Sequence, residues 1–357
     1  MLSKEILSMN KRNPYTINFG KIPKQYIGRD IIISEIVDAL ESDDMEEQAF
    51  KITGIRGTGK TVTLTAIEKD LRENNNWIIV DLKSTSDITK DLIANLYMLT
   101  PLVSKFIDAN LNLSSFGIGV NVSQKSPVSS LDVALKKILQ EINKKGKRVL
   151  VVIDEVRKTE SLIDFIQEFQ ILIREDLPIF VLVAGLYEDI ENIENTDGLT
   201  FFLRASKYEM KPLSLDIIRE SYKATIGLDT KVATELAQYT MGYAFAYQAF
   251  GKYMWESETR EIDNLLLAKV DYALSEKVYD KIWSELRNKE KWFLSFIVKK
   301  EKMPVSELLE LTKQNHKDWS EPRRRLIDKG IIDGNTRGEI RIVLPRFKEY
   351  VEKNYHF

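Results

Sequence analysis

Two hydrophobic rhythms divide this chain at about residue 210. Before it, short unbroken apolar runs alternate with stretches whose apolar positions recur every three or four residues. The run Ala49, Phe50, Ile52 and the segments Trp77 to Leu82, Val149 to Ile153 and Ile179 to Leu186 predict strands buried on both faces, since a half-wet strand would alternate polar with apolar. Lys207 to Met210 is a further strand candidate. Leu64, Ile67 and Leu71 share one helical face. So do Leu131, Leu135, Ile138, Leu139 and Ile142, in a helix that Gly146 can end; Leu162 to Ile173 is helical and apolar over most of its surface. Strands and helices in alternation predict an α/β fold, a parallel sheet with helices on both faces. One segment keeps a different rhythm. Phe116, Ile118, Val120 and Val122 alternate with Gly117, Gly119, Asn121 and Ser123, which predicts a β-hairpin within Leu111 to Ser123.

Beyond 211 the strand signal disappears. Leu213 to Ser275 reads as three or four helices, and the aromatic density from Tyr239 to Trp255 fits the core of a small helical domain. From about 276 the pattern changes again: a long helix over Val278 to Lys299, a second over Val305 to Leu311 and a third near Asp318 to Lys329. Two short strands follow, Ile331 to Asp333 and Ile340 to Leu344, joined by the turn residues Gly334 to Gly338. Three helices and a hairpin are the plan of a winged helix-turn-helix, whose third helix enters the DNA major groove. The expected domains are therefore 1–210, 211–275 and 276–357.

The richest chemistry lies where the first strand meets its helix. Gly54 to Thr61 reads G-I-R-G-T-G-K-T, a complete G-x-x-x-x-G-K-S/T phosphate-binding loop. Backbone N–H groups of Gly54, Ile55, Arg56, Gly57, Thr58, Gly59, Lys60, Thr61 and Val62 can ring phosphates, and the helix N-terminus adds positive potential. Lys60 would reach the β- and γ-phosphates and Thr61 would ligate Mg²⁺. A second element, R-V-L-V-V-I-D-E-V over 148–156, ends a buried strand in Asp154 and Glu155. Alone, these acids could be a strand end meeting solvent. Beside a full phosphate loop, Asp154 reads as a Mg²⁺ holder through water and Glu155 as the base that activates the attacking water. The cofactors implied are ATP and Mg²⁺.

Composition narrows the alternatives. The chain has 357 residues, 43% hydrophobic and 30% charged, with net charge −2. With no cysteine, it has no disulfide or thiolate metal site, and its two histidines, His316 and His356, are too few for a histidine metal centre or triad. No apolar run approaches a bilayer span and the N-terminus lacks a secretory layout, so the expected compartment is the cytoplasm, with no membrane partner. From residue 281 onward the balance is locally basic, 18 Lys+Arg against 12 Asp+Glu. Arg323, Arg324 and Arg325 fall on the candidate recognition helix, Lys317 lies nearby and Arg337 sits at the wing tip; these are the candidate contacts to double-stranded DNA. The same arginines could instead coat a protein-docking module.

Together these features resemble the AAA+ ATPases, in particular the bacterial and archaeal ATPases related to origin-recognition initiators. Those proteins carry an ATPase core, a helical lid and a C-terminal winged helix, which would cover nearly the whole chain. The resemblance implies that Tyr26-Ile27-Gly28-Arg29-Asp30 is the adenine-side element, with Tyr26, Ile27 and Arg29 beside the nucleotide, and that Asn13-Pro14-Tyr15 and Phe19-Gly20 belong to the family's opening segment. It also implies that Arg204 is an arginine finger completing a neighbouring subunit's site, so that the ATP-bound form is a homo-oligomer. A local surface ion pair is the other reading of Arg204. Two positions depart from the family. Ala184-Gly185 stands where many members place a polar γ-phosphate sensor, and Gly242-Tyr243-Ala244-Phe245 stands where relatives carry a lid arginine, or a proline in the signalling NTPases. Both departures favour a slow ATPase that converts ATP to ADP as a switch and assembles on DNA. A signalling or scaffold NTPase whose winged helix binds protein is the competing class, and a nucleotide-binding protein without hydrolysis the third.

Overall fold

The structure, a computed structural model, describes residues 12–18, 23–118, 130–334, 336 and 338–355. Their contacts fall into two compact units. One holds Asp30–Gly54 and Lys60–Met210; the other gathers the described residues up to Arg29, the short segment Ile55–Gly59, and the chain from Lys211 onward.

The first unit is built on five strands: β1 (Ala49–Thr53), β2 (Trp77–Leu82), β3 (Arg148–Ile153), β4 (Ile179–Gly185) and β5 (Ser206–Glu209). All pairings are parallel, in the order β2-β3-β4-β1-β5. The apolar runs mark the inner strands: β4 is buried along its whole length and β3 everywhere except Arg148. Seven helices connect them: α1 (Asp30–Glu41), α2 (Lys60–Glu73), α3 (Ile88–Leu99), α4 (Pro101–Asn110), α5 (Leu131–Asn143), α6 (Glu160–Arg174) and α7 (Tyr187–Glu194). Asp87, Thr100, Ser130 and Thr159 cap α3, α4, α5 and α6 through their side-chain oxygens, each satisfying a backbone N–H of the first turn.

Two features of this unit depart from the sequence pattern. Lys51, in the middle of β1, is fully buried. Its ammonium donates to Glu194 Oε1 at 2.8 Å and to the Phe202 carbonyl at 2.7 Å, and Lys207 reaches the other Glu194 oxygen at 3.1 Å. Burial lowers the Lys51 pKa; burial would raise that of Glu194, but the bonds from Lys51 and Lys207 outweigh it and hold the carboxylate low. The expected hairpin is the second departure. Ser114–Phe116 forms a 3₁₀ turn closed by Gly117 in the left-handed region, so the alternation beginning at Phe116 does not start as a strand. Residues 119–123 of that prediction lie outside the described residues.

The second unit contains α8 (Leu215–Ile226), α9 (Thr230–Thr240), α10 (Ala244–Glu256) and α11 (Asn264–Leu274). Their core is aromatic: Tyr222, Tyr247 and Phe250 are buried, and Tyr15 from the N-terminal segment packs edge-on against Tyr247 at 5.6 Å. A π-helical turn over Ser275–Tyr279 leads into α12 (Asp280–Ser284), and after a break α13 (Asn288–Ile297) begins. The single long helix expected over Val278 to Lys299 is thus interrupted. Arg287 is extended and its N–H donates to Glu290 Oε2 at 2.9 Å, so a new helix start is capped where continuation was expected.

Next come α14 (Val305–Thr312), α15 (His316–Asp328) and α16 (Phe347–Asn354). The expected hairpin after α15 is reduced to a ladder. Ile332 pairs with Ile342, Asp333 N–H donates to the Arg341 carbonyl, and Val343 N–H donates to that of Ile331. A third segment joins it, unforeseen: β6 (Met303–Pro304) pairs antiparallel with β7 (Glu339–Ile340). Among the described residues no helix is long and apolar enough to cross a membrane.

Candidate nucleotide-binding site

The phosphate loop leaves β1 at Gly54, whose N–H donates to the Gly185 carbonyl of β4, and enters α2 at Lys60. Gly57 and Gly59 have φ of +76° and +94°, a region in which an L side chain is strained. At Gly57 the glycine is also required by space, because a Cβ there would fall 2.2 Å from Tyr243 Oη. Buried Thr63, Leu64, Ile67 and Leu71 anchor α2, fixing its first turn where Lys60, Thr61 and Val62 sit.

Five successive loop carbonyls each have a donor. Lys60 Nζ serves Gly54 at 2.8 Å, Thr58 Oγ1 serves Ile55 at 2.9 Å, and the Tyr243 hydroxyl serves Arg56. Phe245 N–H serves Gly57 at 3.0 Å and Arg29 Nη2 serves Thr58 at 3.2 Å. A phosphate needs N–H donors, and none of these five bonds uses a loop N–H. The loop is therefore held through its carbonyls, while the Gly54 N–H is engaged by the Gly185 carbonyl.

At the acidic end of β3, Thr61 Oγ1 donates to Asp154 Oδ2 at 2.5 Å, and Asp154 Oδ1 accepts from Glu155 N–H at 2.8 Å. Thr61, Asp154 and Glu155 thus meet, although 93 residues separate the first two. Glu155 is exposed and lies in the left-handed region at φ +49°, a strained backbone that turns the chain sharply after Asp154. A hydroxyl and a carboxylate in direct contact are the donor pair that suits a hard divalent ion whose remaining ligands are phosphate and water oxygens. Among the described residues no group of three or more acidic or histidine side chains could hold a metal alone.

Sequence reasoning missed a second acidic pair. Glu68, two turns along α2, and Asp81 on β2 adjoin this end of the sheet; Asp81 is in register with Val152. Burial, then Asp81, pushes the Glu68 carboxyl up to about 7, with Asp154 adding to the effect and Arg72, at 3.0 Å, opposing it. The signal was the single acid interrupting the run W-I-I-V-D-L.

The remaining predicted residues are dispersed. Arg29 is buried and donates to the Lys211 carbonyl at 2.8 Å as well as to Thr58, while Tyr26 and Ile27 are half-buried. Arg204 ends a 3₁₀ turn and is exposed, with no ion pair to a described residue. At Gly185 a Cβ would meet Val156 Cγ1 at 2.9 Å, so no polar sensor side chain fits there. On α15, Lys317 and Arg324 are exposed and Arg323 reaches the Gly334 carbonyl at 3.2 Å. Arg325 differs from its neighbours: it turns inward to pair with the buried carboxylate of Glu290 on α13. Its charge is spent inside the fold, and it is the least suited of the three arginines to meet a ligand. Arg337 lies outside the described residues.

The family described as KAP family P-loop domain matches residues 29–106, and the one described as Domain of unknown function (DUF8462) matches 276–351. No curated protein matches the chain in sequence. Among solved structures, Cdc6p from Pyrobaculum aerophilum is similar at 15% identity and TM-score 0.48, over 94% of this chain and 96% of that one. The Aeropyrum pernix ORC1 protein, in complex with DNA, is similar at 12% identity and TM-score 0.47, over 95% of each chain. A phosphate loop after β1, an acidic end to β3 with β4 between them, and the P-loop match over 29–106 define a P-loop NTPase fold.

Proposed function

We propose that this protein binds ATP with Mg²⁺ and hydrolyses it slowly, as a switch that assembles on double-stranded DNA. The observation carrying the proposal is the 2.5 Å bond between Thr61 and Asp154, which joins the phosphate loop to the acidic strand end. In this reading residues 1–210 are the ATPase core, 211–275 a lid and 276–357 a winged helix. Mg²⁺ would neutralise charge on the β- and γ-phosphates. Lys60 would bind those phosphates, Thr61 would ligate the metal and Asp154 hold it through water, and Glu155 would orient the attacking water and take its proton. Tyr26, Ile27 and Arg29 hold the nucleotide's base side, with Arg29 fixing the loop through Thr58. The absence of both sensors supports slow turnover, because charge developing on the γ-phosphate meets fewer fixed dipoles.

The DNA-binding part rests on the basic face of α15. After Arg325 is set aside, Lys317, Arg323 and Arg324 carry it, with Arg337 as the wing contribution. Changing Arg323 and Arg324 together to Ala is expected to weaken duplex binding at least about tenfold and to reduce the salt slope by about two. The check is fluorescence anisotropy at several salt concentrations; unaltered affinity would favour the scaffold reading, in which this helix docks a protein.

The exposure of Arg204 supports a role in trans, as the finger of a neighbouring subunit in a homo-oligomer. Arg204→Ala and Lys60→Ala proteins, each inactive alone, are expected to regain part of the ATPase activity when mixed, since one lends an intact finger to the other's intact loop. A mixture as inactive as its components would remove Arg204 from the reaction.

A further inference from the structure

The tip of the phosphate loop, Ile55–Gly59, groups by contact with the C-terminal half of the chain. Two of its side chains make specific contacts there. Ile55 lies against Gly330, two residues beyond the end of α15, so closely that a Cβ on Gly330 would stand 2.1 Å from Ile55 Cγ2. Gly330 has φ +62°, so both its backbone and its missing side chain are needed for the contact. Arg56 Nη2 bonds Glu285 Oε1 at 2.9 Å, in the break between α12 and α13. Burial would raise the Glu285 carboxyl, but Arg56 and, after it, Lys329 and Lys281 hold it low. Glu285 is therefore shared electrostatically by the phosphate loop and by Lys329, the C-terminal cap of α15.

Neither side chain is prescribed by phosphate binding, since positions 55 and 56 are two of the four free positions of the loop motif. Ile55 nonetheless meets the far end of the helix that carries Lys317, Arg323 and Arg324, and Arg56 meets Glu285, whose carboxylate Lys329 at that same end helps hold low. We propose that Ile55 and Arg56 couple the nucleotide state of the loop directly to α15, through Gly330 and Glu285. The coupling rests on the nucleotide-binding reading of the loop and adds its route of regulation. A loop backbone that settles around a phosphate moves Ile55 and Arg56 with it. The end of α15 is held by short backbone bonds, Gly330 N–H to the Ile327 carbonyl at 2.7 Å and Ile331 N–H to Leu326 at 2.9 Å, so it registers that motion as a change in opening. By linkage, whatever α15 binds must alter nucleotide affinity by the same factor.

The test uses the full chain and the non-hydrolysable analogue AMP-PNP with Mg²⁺. Calorimetry first establishes binding, and hydrogen exchange then follows the amides of residues 327–333. In the wild type, the analogue is expected to slow exchange there by about fivefold or more, the scale of a typical coupling. In Glu285→Gln and in Glu285→Ala the analogue still binds, but the response falls below about twofold; Glu285→Asp restores it. Glu285→Gln leaves the loop sequence untouched, so a lost response there cannot come from a damaged phosphate site. Wild-type protein that binds AMP-PNP without a response at 327–333 overturns the coupling, as do variants that respond like wild type. Failure of the wild type to bind AMP-PNP at all would instead sink the nucleotide reading, and the coupling with it.

Discussion

Lys60→Ala is expected to weaken binding of AMP-PNP·Mg²⁺ by about 100-fold or more. The ammonium is held within the loop by the Gly54 carbonyl at 2.8 Å, so little ordering remains when it turns to a phosphate. Two charge-assisted bonds to phosphate oxygens, at about 1.5–3 kcal/mol each, give this scale, because about 1.4 kcal/mol is a factor of ten. Isothermal titration measures it, and thermal unfolding controls for folding: the wild type should melt higher with ligand and the variant should not, while both melt alike without it. Wild-type affinity in the variant would refute the assignment of the loop. The contrast with Lys51 sharpens the test. That lysine, nine residues earlier, is fully buried against Glu194 and two carbonyls, so its loss acts on the stability of the sheet. The two lysines look similar in sequence, and only their surroundings separate the cation proposed to bind a ligand from the structural one.

Local chemistry was the most legible part of the chain. The loop motif, the strand runs and the acids after β3 each state their structure in consecutive residues, because buried parallel strands are continuously apolar and phosphate loops need glycine at fixed places. What stayed hidden depends on partners distant in sequence. Lys51 sits in an apolar strand only because Glu194 and Phe202 arrive 143 and 151 residues later to satisfy it. Arg325 lies in a run of three arginines, yet it faces inward because Glu290, 35 residues earlier, is buried beneath it. The 3.6-residue period could place Arg325 on a helix but not say which face was already taken. The long helix over Val278 to Lys299 was drawn whole because helix propensity does not register a capping carboxylate three residues ahead. Tyr243 is the clearest case. Read as a missing sensor, it donates its hydroxyl to the phosphate loop itself, a contact across 187 residues.

Glu155→Gln is expected to leave AMP-PNP affinity within about twofold of the wild type while lowering ATP turnover by about 100-fold or more, the usual contribution of a positioned general base. The substitution is nearly isosteric. It keeps the backbone N–H that bonds Asp154 Oδ1 at 2.8 Å, so the metal-holding geometry survives and only proton acceptance is lost. The strained φ of +49° at this position matters here, since it turns residue 155 out of the strand and makes its side chain exposed. Single-turnover hydrolysis of radiolabelled ATP, read beside equilibrium binding, separates the two effects. Glu68 is the built-in comparison: it is also acidic, but it is half-buried, bonded to Arg72, and pushed up by burial and by Asp81. A base must reach the water it activates, and under the proposed function an exposed carboxylate directly after Asp154 is placed for that as Glu68 is not. Turnover that persists in Glu155→Gln but vanishes in Glu68→Gln would move the proton-accepting role one layer back, from the end of β3 to the face of α2.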